Sequence, residues 1–168
     1  MITNIAAFLR YFEGVNRRDM RDVGVLPVEA ESWAPSVGEG ETSWSIGQLV
    51  AHMAGSRGFF ASAYTTGTWT AKRWPGPTAT RADWQQALKE SCEQFVEQLS
   101  GTPEEWLVRK VPDMDGGGPG ISGWRGLLMM VEHDVHHRSQ IDTYAGLNGW
   151  DVAQIFGRKA EDVGLQKP

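Results

Sequence analysis

The chain has 168 residues, 40% apolar and 22% charged, with a net charge of −5, which fits one globular domain over residues 1–168 and excludes a disordered or fibrous chain. An acidic balance gives a phosphate backbone nothing to bind, and no run of about 18 apolar residues exists to span a membrane, so neither partner is expected. The start Met1-Ile2-Thr3-Asn4 lacks the basic and apolar stretches of a signal peptide, and the single cysteine, Cys92, has no internal disulfide partner; both point to a cytoplasmic protein.

Residues 3–22 read as a first helix. Ile5, Phe8, Leu9 and Phe12 mark an apolar stripe, and Thr3 or Asn4 can cap its start. Arg17, Arg18, Asp19 and Arg21 read as a solvated end, and residues 24–43, with Pro35, Gly38 and Gly40, read as a loop. A second helix runs from about residue 45 to 64, capped by Ser43 or Ser45. Stepping 100° per residue puts Gln48, Leu49, His52, Ser56, Phe59 and Ala63 on one inward face. Residues 66–80 form a long connection rather than a tight turn.

The third helix, from about residue 80 to 100, opens on a capping arrangement, Thr80-Arg81-Ala82-Asp83, with an acid in place of the usual Glu. Trp84, Leu88, Cys92, Phe95 and Leu99 follow at helical steps. Thr102-Pro103-Glu104-Glu105 starts one short turn with proline at its first helical position. Residues 114–120 read as a glycine loop. Residues 107–112 could be extended, but one such segment makes no sheet. The fourth helix spans about residues 122–147 and carries His133 and His137, with Asp134 and Arg138 paired on its flank. Asp151 caps a last short helix, about 152–163. The expected class is all-α: a four-helix bundle with a short C-terminal helix.

Three of the four histidines fall in the run Glu132-His133-Asp134-Val135-His136-His137-Arg138. His133 and His137 share a helical face with Cβ atoms roughly 5–6 Å apart. Two such rings can meet one metal ion at about 2.0–2.1 Å each. Taken singly, His52 fits a hydrogen-bonded core residue and the pair fits a surface pair. Burying them together in an apolar bundle strands polar atoms that a divalent ion would satisfy. His136 lies about 80° off the centre of that face; it reads as a substituted ligand, a donor behind the ligands or a general base, with Glu132 placed to pair with it. Gln140 and Tyr144 share the ligand face and could orient a substrate or simply pack. Cys92, in the stripe of the third helix, reads as a small core residue rather than a fourth ligand.

These residues resemble the DinB-like superfamily, also called YfiT-like. The matching pieces are Trp44-Ser45-Ile46-Gly47-Gln48-Leu49-Val50-Ala51-His52 and Glu132-His133-Asp134-Val135-His136-His137-Arg138-Ser139-Gln140-Ile141. The resemblance implies a left-handed up-down-down-up bundle, a three-histidine divalent-metal site mapping onto His52, His133 and His137, and a homodimer. Ser139 departs from it, standing where the family usually has glycine.

Three imidazoles leave a divalent ion its full charge and an open position, which acidifies a bound thiol or water. Zinc is the default for such a site, with nickel, iron or manganese chemically allowed. The resemblance extends to enzymes that transfer bacterial small thiols such as bacillithiol or mycothiol, and to proteins described as metal-dependent hydrolases of small esters or amides. With no general-base carboxylate on the ligand faces, transfer of a low-molecular-weight thiol to an electrophilic small molecule is the preferred expectation. The non-enzymatic rival is a metal-containing stress or binding protein, with Trp69 and Trp74, read as exposed, serving dimer contacts.

Overall fold

The computed structural model describes residues 1–36, 43–71, 73–154 and 157. Its helices are α1 (Ile5–Gly24), α2 (Ile46–Thr66), α3 (Arg81–Leu99) and α4 (Gly123–Leu147). Local chemistry sets their starts. Asn4 Oδ1 accepts from the amide of Ala7 at 2.7 Å. Ser45 and Gln48 close a reciprocal capping box, as do Thr80 and Asp83, so the shorter acid serves where Glu is usual. At the far end of α2, Gly67 takes φ +75°, the left-handed conformation that relieves the last carbonyls of a helix.

Contacts between the helices give their directions. Gly47 lies against Trp84 and Arg57 against Leu88 and Ser91, so α2 and α3 run parallel. His52 meets His137 and Tyr64 meets Gly123, so α4 runs opposite to α2. Phe12 packs on Phe95 and Met20 accepts from Gln85, which sets α1 antiparallel to α3. The order is up-down-down-up. The chain between α2 and α3 must therefore return along the bundle. It does so beside α2, with Trp69 against Phe60 and Thr78 against Gly47.

The core has two apolar layers. One gathers Phe8, Phe12, Phe60, Phe95 and Leu127. The other gathers Leu26, Ile46, Trp84, Leu88 and Ile141. Between them lies a polar stratum centred on Arg57, which is fully buried. Its guanidinium donates to Asp134 Oδ2 at 2.9 and 3.1 Å, to Asp19 Oδ2 at 3.2 Å, to Asn16 Oδ1 at 2.8 Å, to the Leu88 carbonyl at 2.7 Å and to Ser91 Oγ at 3.0 Å. One side chain thus ties all four helices together. Arg138 adds contacts of 3.4 Å each to Asp19 and Asp22.

Several expectations need correction. Asp19 is not at a solvated end; it is 1% exposed and held by two guanidiniums. Asp134 pairs with Arg57 and Arg138 with Asp19 and Asp22, so the flank pair Asp134–Arg138 does not form. The extended segment finds a partner: Lys110–Val111 pairs antiparallel with Ile121–Ser122 (β1 and β2), because the glycine run between them doubles the chain back. Pro103 precedes its 3-10 turn, Glu104–Leu107, instead of occupying its first position. The helix expected at 152–163 falls largely outside the described residues, and residues 151–154 are not helical. Among the described residues no helix is long and apolar enough to cross a membrane.

Candidate metal centre

Antiparallel packing of α2 on α4 brings the distant histidine to the pair. His52 Nε2 lies 2.9 Å from His133 Nε2, and His137 Nε2 lies 3.1 Å from the same atom. Ligand atoms of all three fall within 4.8 Å of one another. Nitrogens sharing a tetrahedral zinc ion stand about 3.3 Å apart, so the spacing is close to what one ion requires.

Three neutral rings do not satisfy this arrangement by themselves. Gln140 Oε1 is 2.6 Å from His137 Nδ1. That nitrogen therefore donates, and Nε2 of His137 presents a lone pair. Nε2 of His133 has a single bonding direction but faces two nitrogens. One hydrogen there cannot align with both neighbours, and a lone pair there repels that of His137. A cation met by all three lone pairs removes the conflict, so the residues fit a divalent ion. Burial, reinforced by the two neighbouring rings, lowers His52 to about 4. Burial also lowers His137, against the hydrogen bond it donates to Gln140. Both are neutral at pH 7, the form that ligates metal.

The trio has a closed side and an open side. On the closed side Asp134 is fully buried. Its Oδ1 stands 3.7 Å from His133 Nδ1, and both atoms lack a hydrogen-bond partner. A small rotation of the imidazole would join them, giving His133 a carboxylate support of the kind metal-bound histidines use. On the open side, His52 and His133 form one wall of a cavity of about 580 Å3 that includes Phe59, Phe60 and Trp74. Among the described residues no carboxylate lines it. Trp44, 41% exposed, sets its ring 4.7 Å from that of His52 and 6.1 Å from that of His137. Among the described residues no fourth histidine, cysteine or acid joins the cluster.

The other candidates separate clearly. Gln140 touches the centre through His137. His136 is exposed, its ring 4.9 Å from that of His137; Glu132 bonds to Arg125 at 2.8 Å instead of pairing with it. Tyr144 packs its ring 5.1 Å from that of Trp33 and is not among the cavity residues. Cys92 lies in the core, where burial pushes its thiol up to about 11. Trp69 and Trp74 are half-buried, Trp69 against Phe59 and Phe60 with its Nε1 donating to the Pro112 carbonyl at 2.7 Å.

The residue that sequence reasoning passed over is Arg57. Its signal was there: it is the only lysine, arginine or acid in the whole of α2. A lone guanidinium in so apolar a helix must be paired inside.

A family model, the DinB family, matches residues 1–164. The chain belongs to the DinB family. Solved structures agree on the fold. A DinB-like protein from Bacillus cereus ATCC 10987 superposes with a TM-score of 0.72 at 20% identity, covering 92% of this chain and 99% of its own. A DinB-like protein from Bacillus subtilis gives 0.65 at 23% identity, covering 86% and 93%. No functionally curated protein matches the chain.

Proposed function

We propose that this DinB-family protein is a divalent-metal enzyme, with zinc held by His52, His133 and His137, that transfers a low-molecular-weight thiol to an electrophilic small molecule. The observation that carries the reading is the convergence of three imidazole nitrogens, with the rings of His52 and His133 lining an apolar cavity. A purely structural ion would be closed off by a fourth protein ligand; among the described residues no fourth histidine, cysteine or acid joins the three, which supports a fourth direction open to small molecules.

A divalent ion, when bound, supplies a Lewis acid that lowers the pKa of a thiol or a water. The chain's own part is to position and to exclude. Gln140 holds the tautomer of His137 that ligates, and Asp134 stands ready to do the same for His133. Trp44, Phe59 and Phe60 shed water from the reacting end. The thiol proton leaves to solvent, the sulfur pair forms the bond to the electrophilic carbon, and the leaving group departs with the pair of the broken bond. Thiol transfer is favoured over hydrolysis because an attacking water wants a carboxylate base; among the described residues none lines the cavity, and Asp134 is buried behind His133 and committed to Arg57.

The test is a screen of zinc-loaded protein with several bacterial thiols plus electrophiles, alongside ester substrates. Turnover dependent on one thiol and lost in His52→Ala supports the reading. Ester cleavage without any thiol replaces it with the hydrolase, and a tightly bound ion with neither activity replaces it with a metal-containing binding protein.

A further inference from the structure

The cavity beside the histidines has a character of its own. Following α2 from His52 to Phe59, its wall runs about 10 Å at 1.5 Å per residue. Phe59, Phe60, Trp74 and Ala71 make it apolar. Two groups interrupt that surface. Ser56 contributes a hydroxyl with no hydrogen-bond partner among the described residues. Arg73 contributes a guanidinium, the only lysine, arginine or acid in the lining among the described residues, and it has no ion-pair partner among them. Arg73 and Trp74 sit on the return segment between α2 and α3, facing the histidines' end of α2. A volume of about 580 Å3 is in the range of small-molecule sites, where apolar walls supply affinity and a few placed polar groups supply orientation.

We propose that this cavity binds an anionic small molecule with an apolar, ring-sized body, its anion on Arg73, its polar acceptor on Ser56 and its far end at the histidine centre. The assignment of that molecule as substrate rests on the enzymatic reading above; the cavity's preference for it does not need the metal. A guanidinium at the rim of an apolar hollow, with no ion-pair partner among the described residues, attracts an anion and rejects the neutral or cationic analogue. The apolar walls reward a ring more than a short acid.

The probes are 4-phenylbutyrate and its neutral counterpart, 4-phenylbutyramide, titrated calorimetrically into the full chain, once metal-free and once zinc-loaded. The acid should bind about fivefold tighter than the amide, the scale of a half-solvated ion pair. The preference should persist without metal, vanish in Arg73→Gln and return in Arg73→Lys. Ala71→Trp, which fills the cavity from an exposed position, should weaken both probes. Equal affinities, no binding of either probe, or a preference that survives Arg73→Gln would overturn the proposal. A preference seen only with zinc, and indifferent to Arg73, would place the anion on the metal, overturning the pocket assignment while leaving the metal reading standing. The converse, an Arg73-dependent preference in a protein that takes up no zinc, would support the cavity and sink the metal.

Discussion

Asp134 faces two ways: Oδ2 receives Arg57 Nη2 at 2.9 Å, while Oδ1 waits 3.7 Å from Nδ1 of the candidate ligand His133. A single carboxylate thus joins the buried ionic stratum to the histidine cluster. Asp134→Asn keeps the shape and removes the charge. Zinc affinity should fall about 10–100-fold, the usual cost of losing a support behind a metal-bound histidine. Competition with a chromophoric chelator reads this directly. Unchanged affinity in a destabilised protein would confine Asp134 to a purely structural role.

Arg57 is the centre of the stratum, so Arg57→Met should be among the most damaging single changes. It strands Asp134 without a counter-charge in the interior and leaves Asp19 only Arg138. A loss of about 3–5 kcal/mol is expected, read as a lower urea midpoint at pH 7. Replacing the acids as well, Arg57→Met with Asp134→Leu and Asp19→Leu, should recover much of it, since buried ion clusters are often no more stable than well-packed apolar ones.

The stratum also predicts a pH dependence. If all were ionised, Arg57 and Arg138 would face Asp19, Asp22 and Asp134, two cations against three acids. Burial, reinforced by Asp134, raises Asp19 to about 8, so the folded protein keeps a proton there that the unfolded chain releases near 3.8. Folded protein binds more protons than unfolded across that span, and stability from this group declines as pH rises. Between pH 6.5 and 8 His52 and His137 are already mostly neutral in the folded protein and lose only the remaining half of their protons in the unfolded chain, a smaller opposing effect, while Asp22, raised to about 6, is mostly ionised in both. The metal-free protein should therefore lose about 1–2 kcal/mol over that window. Urea titrations at pH 6.5 and 8 check it; in Asp19→Asn the slope should flatten.

At the histidines the sign is opposite. His52, lowered to about 4, and His137, lowered too, take up protons on unfolding below pH 6.5, so their contribution is lost as pH falls from there toward 4. Proton competition for the metal likewise begins below the ordinary imidazole value. Zinc affinity should hold from pH 8 to 6.5, weaken below that, and be lost near 4. Loss of zinc already complete at pH 6.5 would contradict ligation by these buried rings.

Metal analysis of the reconstituted protein should give close to one divalent ion per chain. His137→Ala should abolish it while circular dichroism retains most of the helicity, because Phe12, Trp84 and Leu88 build the core independently of the histidines. Collapse of the helical signal in that variant would instead mark the ion as structural.

The bundle and its histidines were legible for physical reasons. Stripes such as Trp84-Leu88-Cys92-Phe95-Leu99 repeat at the helical period, and caps such as Ser45 and Thr80 mark starts. The spacing of His133 and His137 fixed one face, and an apolar setting turned His52 inward. What escaped depends on contacts far apart in sequence. Asp19 looks like any charge in an Arg-rich run until Arg57 and Arg138 come to meet it from other helices. Ile121–Ser122 looks like the end of a loop until it pairs with Lys110–Val111. The cavity combines α2, α4, the return segment and Met114, and no local pattern announces that combination.

Because α2 and α3 point the same way, the chain has no choice but to climb back alongside α2 before α3 can begin. That obligatory strap is what carries Arg73 and Trp74 past the mouth of the histidine site. Arg73 is exposed on that strap, so a substitution there can re-tailor what the hollow accepts while the histidine rings and the scaffold behind them stay the same.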